Sequence, residues 1–211
     1  MTDAPDPLHD VVAIIRERQR AHPGRLVLGF AGPPGSGKST VVERLAARLG
    51  PEVCAVVPMD GFHLANRLLA GTPLAARKGA VDTFDAYGYL HLLERLRAAD
   101  EPVVYAPAYE RSIEEPVAGA IAVPAEIPVV LTEGNYLLLD ESPWSRIREQ
   151  LDATWFIDTP RALRLERLTE RHIRFGKAPD AARAWALGPD EANAVLIERS
   201  RGNAAHVLRW G

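Results

Sequence analysis

Cysteine occurs once in this chain, at Cys54, so no disulfide can close within it and a reducing compartment is expected. A basic excess is missing too: 25 Lys and Arg face 28 Asp and Glu, a net charge of -3. The lack of a basic field argues weakly against a duplex nucleic-acid partner. No apolar run approaches the ~20 residues that a membrane helix requires. The opening MTDAPDPLHD is acidic and broken by proline where a secretion signal would be basic and then apolar. These absences point to the cytoplasm, with neither nucleic acid nor membrane as a partner. Internal repeats and low-complexity linkers are also lacking, so residues 1–211 are expected to form one domain. A homodimer stays open, because nothing in the sequence reads on it.

What the chain does contain is LVLGFAGPPGSGKSTVV, from Leu26 to Val42. Gly32, Gly37, Lys38 and Ser39 fill G-x-x-x-x-G-K-[ST], with an apolar run before and a helical sequence after, which is a phosphate-binding loop. Glycines at 32, 35 and 37 allow backbone angles that turn successive N–H groups inward toward phosphate oxygens. Pro33, Pro34, Ser36 and Thr40 complete the loop. The helix beginning near Lys38 sets its positive dipole end beneath the same phosphates. Lys38 reaches the β and γ oxygens, and the Ser39 hydroxyl holds magnesium. ATP and Mg2+ are the cofactors this implies.

Around the loop the chain alternates apolar runs with helical periodicity. Asp6-Pro7 starts a helix that carries Leu8, Val11, Val12 and Ile15, and His22-Pro23-Gly24 stops it. Leu26 to Phe30, Val53 to Pro58, Pro128 to Thr132 and Thr154 to Ile157 read as buried strands, Pro102 to Ala106 as a third strand in chain order, and His206 to Arg209 as a last one. Pro116 to Val123, with Gly119 inside, reads as a small peripheral hairpin. Leu64 to Asp85 lacks periodicity and reads as a long functional loop. Helices are expected from Tyr87 to Ala99, after Thr159-Pro160, and from Asp190 to Ser200. The alternation predicts a mostly parallel sheet covered on both faces.

Phosphoryl transfer to an alcohol needs a carboxylate that accepts the hydroxyl proton. Asp60, in Met59-Asp60-Gly61-Phe62-His63 after the second strand, opens at the same rim as the phosphate loop and is the candidate base. Glu133 closes another apolar strand and is the candidate second metal ligand, with Asp158 its rival. Asp158 precedes Thr159-Pro160, so a helix start explains it. Arg164, Arg167, Arg171 and Arg174 fall within an arc of about 80° on one helix. Charge on a transferring phosphoryl group must be neutralised, and arginines on a mobile segment can do so. Arg171 and Arg174, with Lys177, are the lid candidates, and Arg164 is structural. Asp85-Ala86-Tyr87-Gly88 matches the short Asp-x-x-Gly pattern of GTPases, but a helix cap explains it as well. A guanine-specific Asn-Lys-x-Asp is absent.

With GPPGSGKST, VPMDGFH, RKGAVDTFD, PAYERSIEEPV, VVLTEGNYLLLD and RHIRFGK in this order, the chain resembles the superfamily of phosphoribulokinase, uridine kinase and bacterial pantothenate kinase. Within it, the bacterial fructokinase-like branch is the most similar. The resemblance implies a P-loop NTPase three-layer α/β sandwich with a small helical lid at about residues 168–188. It also implies transfer of the ATP γ-phosphoryl to a small metabolite: a sugar such as fructose, a nucleoside such as uridine, or a pantothenate-like alcohol. Asp60 matches the base, Glu133 the acidic residue before glycine, and Arg171 with Arg174 the lid. Arg77, Lys78, Asp82, Asp85, Tyr109 and Arg111 would lie on the acceptor side, together with Phe62, His63, Asn135 and Tyr136 beside the strand ends. Asn193 and the segment near His206 would border the adenine. Acidic Asp82 and Asp85 would disfavour an anionic acceptor. The rival reading is a regulatory NTP-binding protein that acts through a protein partner.

Overall fold

The computed structural model describes residues 6–211; residues 1–5, part of the amino-terminal stretch read above, lie outside the described residues. Helix α1 (Pro7–Ala21) begins as its sequence predicts: the Asp6 side chain accepts from the Leu8 N–H at 3.1 Å, and Pro7 takes the first position. Strand β1 (Leu26–Ala31) is buried throughout and runs into the phosphate loop, after which α2 (Lys38–Leu49) starts. The chain continues through β2 (Cys54–Val56), α3 (Asn66–Leu69), α4 (Ala86–Ala98), β3 (Val103–Glu110), β4 (Glu115–Pro124), β5 (Val129–Gly134), α5 (Trp144–Glu149), β6 (Ala153–Asp158), α6 (Arg161–Arg174), α7 (Pro179–Trp185), α8 (Glu191–Arg199) and β7 (His206–Arg209).

Five strands form one parallel sheet in the order β2-β5-β1-β6-β7. Alternate side chains of β1 show why it carries no polar residue. Leu26, Leu28 and Phe30 join the core under α1 and α2, whereas Val27 and Ala31 join the core that holds Tyr89 and Leu93 of α4. The sheet is thus the middle of three layers. Strand β1 lies beside β5, and the connection leaving β1 runs to β2 on one side while that leaving β5 runs to β6 on the other, so the two diverge and open a crevice at these carboxyl ends. At the opposite end the buried Arg25 guanidinium donates to the carbonyls of Leu96, Pro124, Ala125 and Ile127 at 2.6–3.0 Å, tying β1 to the ends of α4, β4 and the start of β5.

Four elements differ from the sequence reading. The strand expected at Pro102 to Ala106 lies outside the central sheet and pairs antiparallel with β4. Residues 115–124 form a single strand, not a hairpin, and the turn is at residues 111–114. Gly119 lies in a bulge: the pairs Ala106 with Ile121 and Ala108 with Val117 leave three residues opposite Pro107, which has no N–H to give the ladder. The 64–85 segment contains α3 and two short 3-10 turns, Pro73–Arg77 and Val81–Thr83. Helix α6 starts without a side-chain cap, and the Thr159 hydroxyl lies instead against the Ser36 carbonyl at 2.9 Å and the Trp210 carbonyl at 2.6 Å.

Candidate active site

The phosphate loop turns on Gly35 and Gly37, at φ +78° and +85°, where a side chain is strained. Space excludes one as well: a Cβ on Gly35 would come within 2.6 Å of the Arg164 carbonyl oxygen, and one on Gly37 within 2.9 Å of the Trp210 indole nitrogen. Gly32, Pro33, Ser36 and Gly37 form the back of the loop, Thr40 points outward from α2, and Pro34, Gly35, Lys38 and Ser39 line a cavity of about 380 Å³.

An anion fits this loop on two counts. Helix α2 has neither a capping side chain nor an acidic residue in its first turn, so its leading amides are without side-chain partners. Lys38, which lines the cavity, brings a positive charge to it, and its burial pushes the ammonium down to about 8. Its Nζ donates to the carbonyls of Gly32 at 2.8 Å and Pro33 at 3.2 Å, and to Asn135 Oδ1 at 2.8 Å.

Glu133 stands where β5 ends beside β1, and its Oε1 accepts from the Ser39 hydroxyl at 2.8 Å. Burial raises its pKa, and Asp60 adds to the rise while Lys38 and Ser39 oppose it. Among the described residues no three His, Cys, Asp or Glu side chains converge as a metal cage. A pair of protein oxygens at a phosphate loop suits magnesium, which completes its shell with water and phosphate oxygens. Asp158 is engaged elsewhere: its carboxylate accepts from Arg201 at 2.8 Å, and it does not line the cavity.

Asp60 lies on the 3-10 turn Met59–Phe62 that follows β2 and lines the same cavity as Lys38, Ser39 and Glu133. Arg111, in the turn between β3 and β4, comes within 3.7 Å of its carboxylate. Burial lowers the His63 pKa, so the imidazole is neutral at pH 7. Its Nδ1 lies 2.7 Å from the Asp60 carbonyl, an acceptor only, and therefore carries the proton. The Tyr109 ring packs against His63 at a tilt of 44° with ring centroids 4.6 Å apart, and burial pushes its hydroxyl up to about 12. Lys78 stands over the Tyr109 ring and donates to Asn66 Oδ1 and the Glu114 carbonyl.

The far wall comes from the end of α6 and the segment that leads on to α8. Arg171 lines the cavity, with its pKa lowered by burial and by Arg111. Lys177 also lines it and lies 4.6 Å over the Trp185 ring. Arg164 is 2% exposed and donates to the Pro34 carbonyl at 3.2 Å, a brace between α6 and the loop.

Several residues placed at the site by the sequence reading are elsewhere. Arg174 is exposed and does not line the cavity. Arg77 and Asp82 bond to each other at the surface, and Asp85 caps α4 by accepting from the Gly88 N–H at 2.8 Å. None of the three lines the cavity. The Asp85–Gly88 spacing is a cap, not a nucleotide switch. Phe62 packs on Tyr89, and Tyr136 is buried with its hydroxyl donating to the Gly79 carbonyl; both support the cavity from behind. Asn193, set near an adenine by the resemblance, does line the cavity and reaches the Gly79 carbonyl at 3.3 Å, whereas His206 does not line it and stacks on Trp155.

The sequence reading missed His172 and Asp190, which line the cavity with Nε2 and Oδ2 2.7 Å apart. Adjacency to Arg171 was the one local signal for His172. Asp190 ends the wide π-turn Ala186–Asp190 before α8, where no motif marks it.

A parallel sheet in this order, with a phosphate loop on its central strand and carboxylates at the same rim, is the architecture of a P-loop nucleotide-binding protein. Residues 27–175 match the model of the Phosphoribulokinase / Uridine kinase family, and the chain belongs to that family. It is 38% identical over 152 residues to an ATP-dependent kinase-like protein of Aspergillus versicolor, covering 68% of this chain and 88% of that one. To a candidate uridine kinase of Schizosaccharomyces pombe it is 35% identical over 163 residues, covering 74% and 69%. The crystal structure of a candidate fructose transport system kinase from Silicibacter sp. TM1040 is similar at a TM-score of 0.86 and 39% identity, covering 96% of this chain and 98% of that one.

Proposed function

We propose that this protein transfers the terminal phosphoryl group of ATP to a hydroxyl of a small metabolite in the cytoplasm. Fructose-like sugars, nucleosides such as uridine and pantothenate-like alcohols are the acceptor classes to test. One observation carries the reading: the Asp60 carboxylate opens into the same cavity as Lys38, Ser39 and Glu133.

In this reading the loop amides and Lys38 hold the phosphates, and Asp60 accepts the proton of the acceptor hydroxyl. Arg111, beside Asp60, offers a second positive group to the incoming oxygen's surroundings. His63 and Tyr109 form an aromatic side of the acceptor site, with Lys78 and Asn66 at its edge. Arg171 and Lys177 neutralise charge on the transferring group from the opposite wall. Magnesium held by Ser39 and Glu133 would neutralise phosphate charge. The segment from about 168 to 188 would act as a lid that excludes water.

The test is ADP formation in the presence of sugars, nucleosides and pantothenate, one at a time. One of these small alcohols raises the rate and appears in the products as its phosphate. Turnover that rises only with an added protein, and with no small alcohol, would replace this reading with a regulatory one.

A further inference from the structure

We propose that Asn135 reads the terminal phosphoryl group: it holds Lys38 in the nucleotide-free protein, yields it to that group, and then donates to the same group through its amide nitrogen. This rests on the nucleotide-binding half of the proposed function, and not on the identity of the acceptor.

The orientation of the Asn135 amide is dictated by chemistry. An ammonium has donors only, so the atom 2.8 Å from Lys38 Nζ must be Oδ1. The Nδ2 group then points the other way. Its neighbour among the described residues is the Tyr136 hydroxyl, and since Asn135 lines the cavity and Nδ2 is not a buried, unpartnered atom, the amide also opens to the cavity. The neighbouring Tyr136 hydroxyl spends its own proton on the Gly79 carbonyl. Tyr136 therefore offers Nδ2 at most a lone pair, and at least one N–H remains free.

Lys38 supplies the second half of the inference. Its three N–H groups meet three acceptors: the carbonyls of Gly32 and Pro33, and Asn135. An arriving phosphate oxygen must take one of these bonds. The two carbonyls belong to the loop backbone, fixed by Gly35, Gly37 and the Arg164 brace. Asn135 is the one side chain of the three, and so the partner free to turn. It directly follows β5, two residues beyond Glu133, and lines the cavity that Asp60 also lines. A phosphoryl group that extends from the loop toward Asp60 would therefore meet it. Asn135 is thus a positioning residue for the group to be transferred.

The test compares magnesium-dependent binding of a non-hydrolysable ATP analogue and of ADP by titration calorimetry, in the full chain and in Asn135→Ala and Asn135→Asp. Thermal melting serves as a fold control. The expected result is a fall of at least tenfold in the ratio of analogue affinity to ADP affinity in both variants, with ADP affinity within about threefold of the original. Asn135→Asp is the sharper arm, because it keeps an acceptor for Lys38 while removing the donor and adding a charge against the phosphate. Equal losses for both nucleotides in Asn135→Ala, restored by Asn135→Asp, would reduce Asn135 to a support for Lys38 and overturn the proposal. So would a gain in analogue affinity in Asn135→Ala. A chain that binds neither nucleotide before any substitution would instead defeat the nucleotide-binding reading itself.

Discussion

Gly35 shows how little freedom a single position can have. Its φ of +78° and the Arg164 carbonyl waiting 2.6 Å from a would-be Cβ act together. Gly35→Ala is expected to lose about 1–2 kcal/mol to backbone strain alone and at least tenfold in nucleotide affinity, measured by titration. Cys54 is the opposite kind of residue, inert by burial, which pushes its thiol up to about 12. At pH 8 it should resist alkylation until the chain unfolds, as mass spectrometry with and without urea can show. An unfolded thiol ionises near its ordinary value while the folded one does not, so Cys54 makes the fold less favourable as pH climbs from about 9 toward 12. Rapid labelling of the native protein would contradict both statements. Residues in the loop were legible because spacing alone gives them their tasks. Asp82 and Asp85 were misplaced because their partners, Arg77 and Gly88, satisfy them locally, and a charge in a sequence does not reveal whether a neighbour already holds it.

Among the elements, the β3–β4 hairpin connects most directly to acceptor binding. It pairs only with itself, apart from the central sheet, yet carries Tyr109 and Arg111 to the Asp60 turn. Replacing residues 105–122 by a short turn should leave nucleotide binding in place while acceptor-stimulated turnover falls at least 100-fold. Loss of both together, with melting unchanged, would show that the hairpin serves the nucleotide. The sequence placed strands here but not their pairing. Residues 102–106 look like any buried strand, and only Pro107, unable to donate, and the opposing bulge mark a ribbon that stands apart. Helix α6 was legible as an arginine face, but which arginine enters the cavity was not. Arg164 turns to the loop, Arg171 to the cavity and Arg174 to solvent, a division set by where the helix ends against its neighbours and not by residue type.

At the scale of the molecule, the order β2-β5-β1-β6-β7 brings all five strand ends to one rim, where those of β1, β2 and β5 lead into the cavity, and leaves Arg25 to fasten the other. Arg25→Met should lower unfolding stability by about 2–4 kcal/mol in urea titration, since it strands buried carbonyls, and Arg25→Lys should recover little because one ammonium cannot match the fork. Strand alternation made the three layers readable from sequence. The wall that joins His172 to Asp190, 18 residues apart, was not, since it exists only once α6, the π-turn and α8 are folded together. The central claim is that Asp60 receives the acceptor's proton opposite a loop-held phosphoryl group. The most direct measurement is acceptor-dependent ADP release by Asp60→Asn, beside its affinity for ATP. The account predicts turnover lower by about 100- to 10,000-fold with ATP affinity within threefold; turnover equal to that of the unsubstituted protein would contradict it.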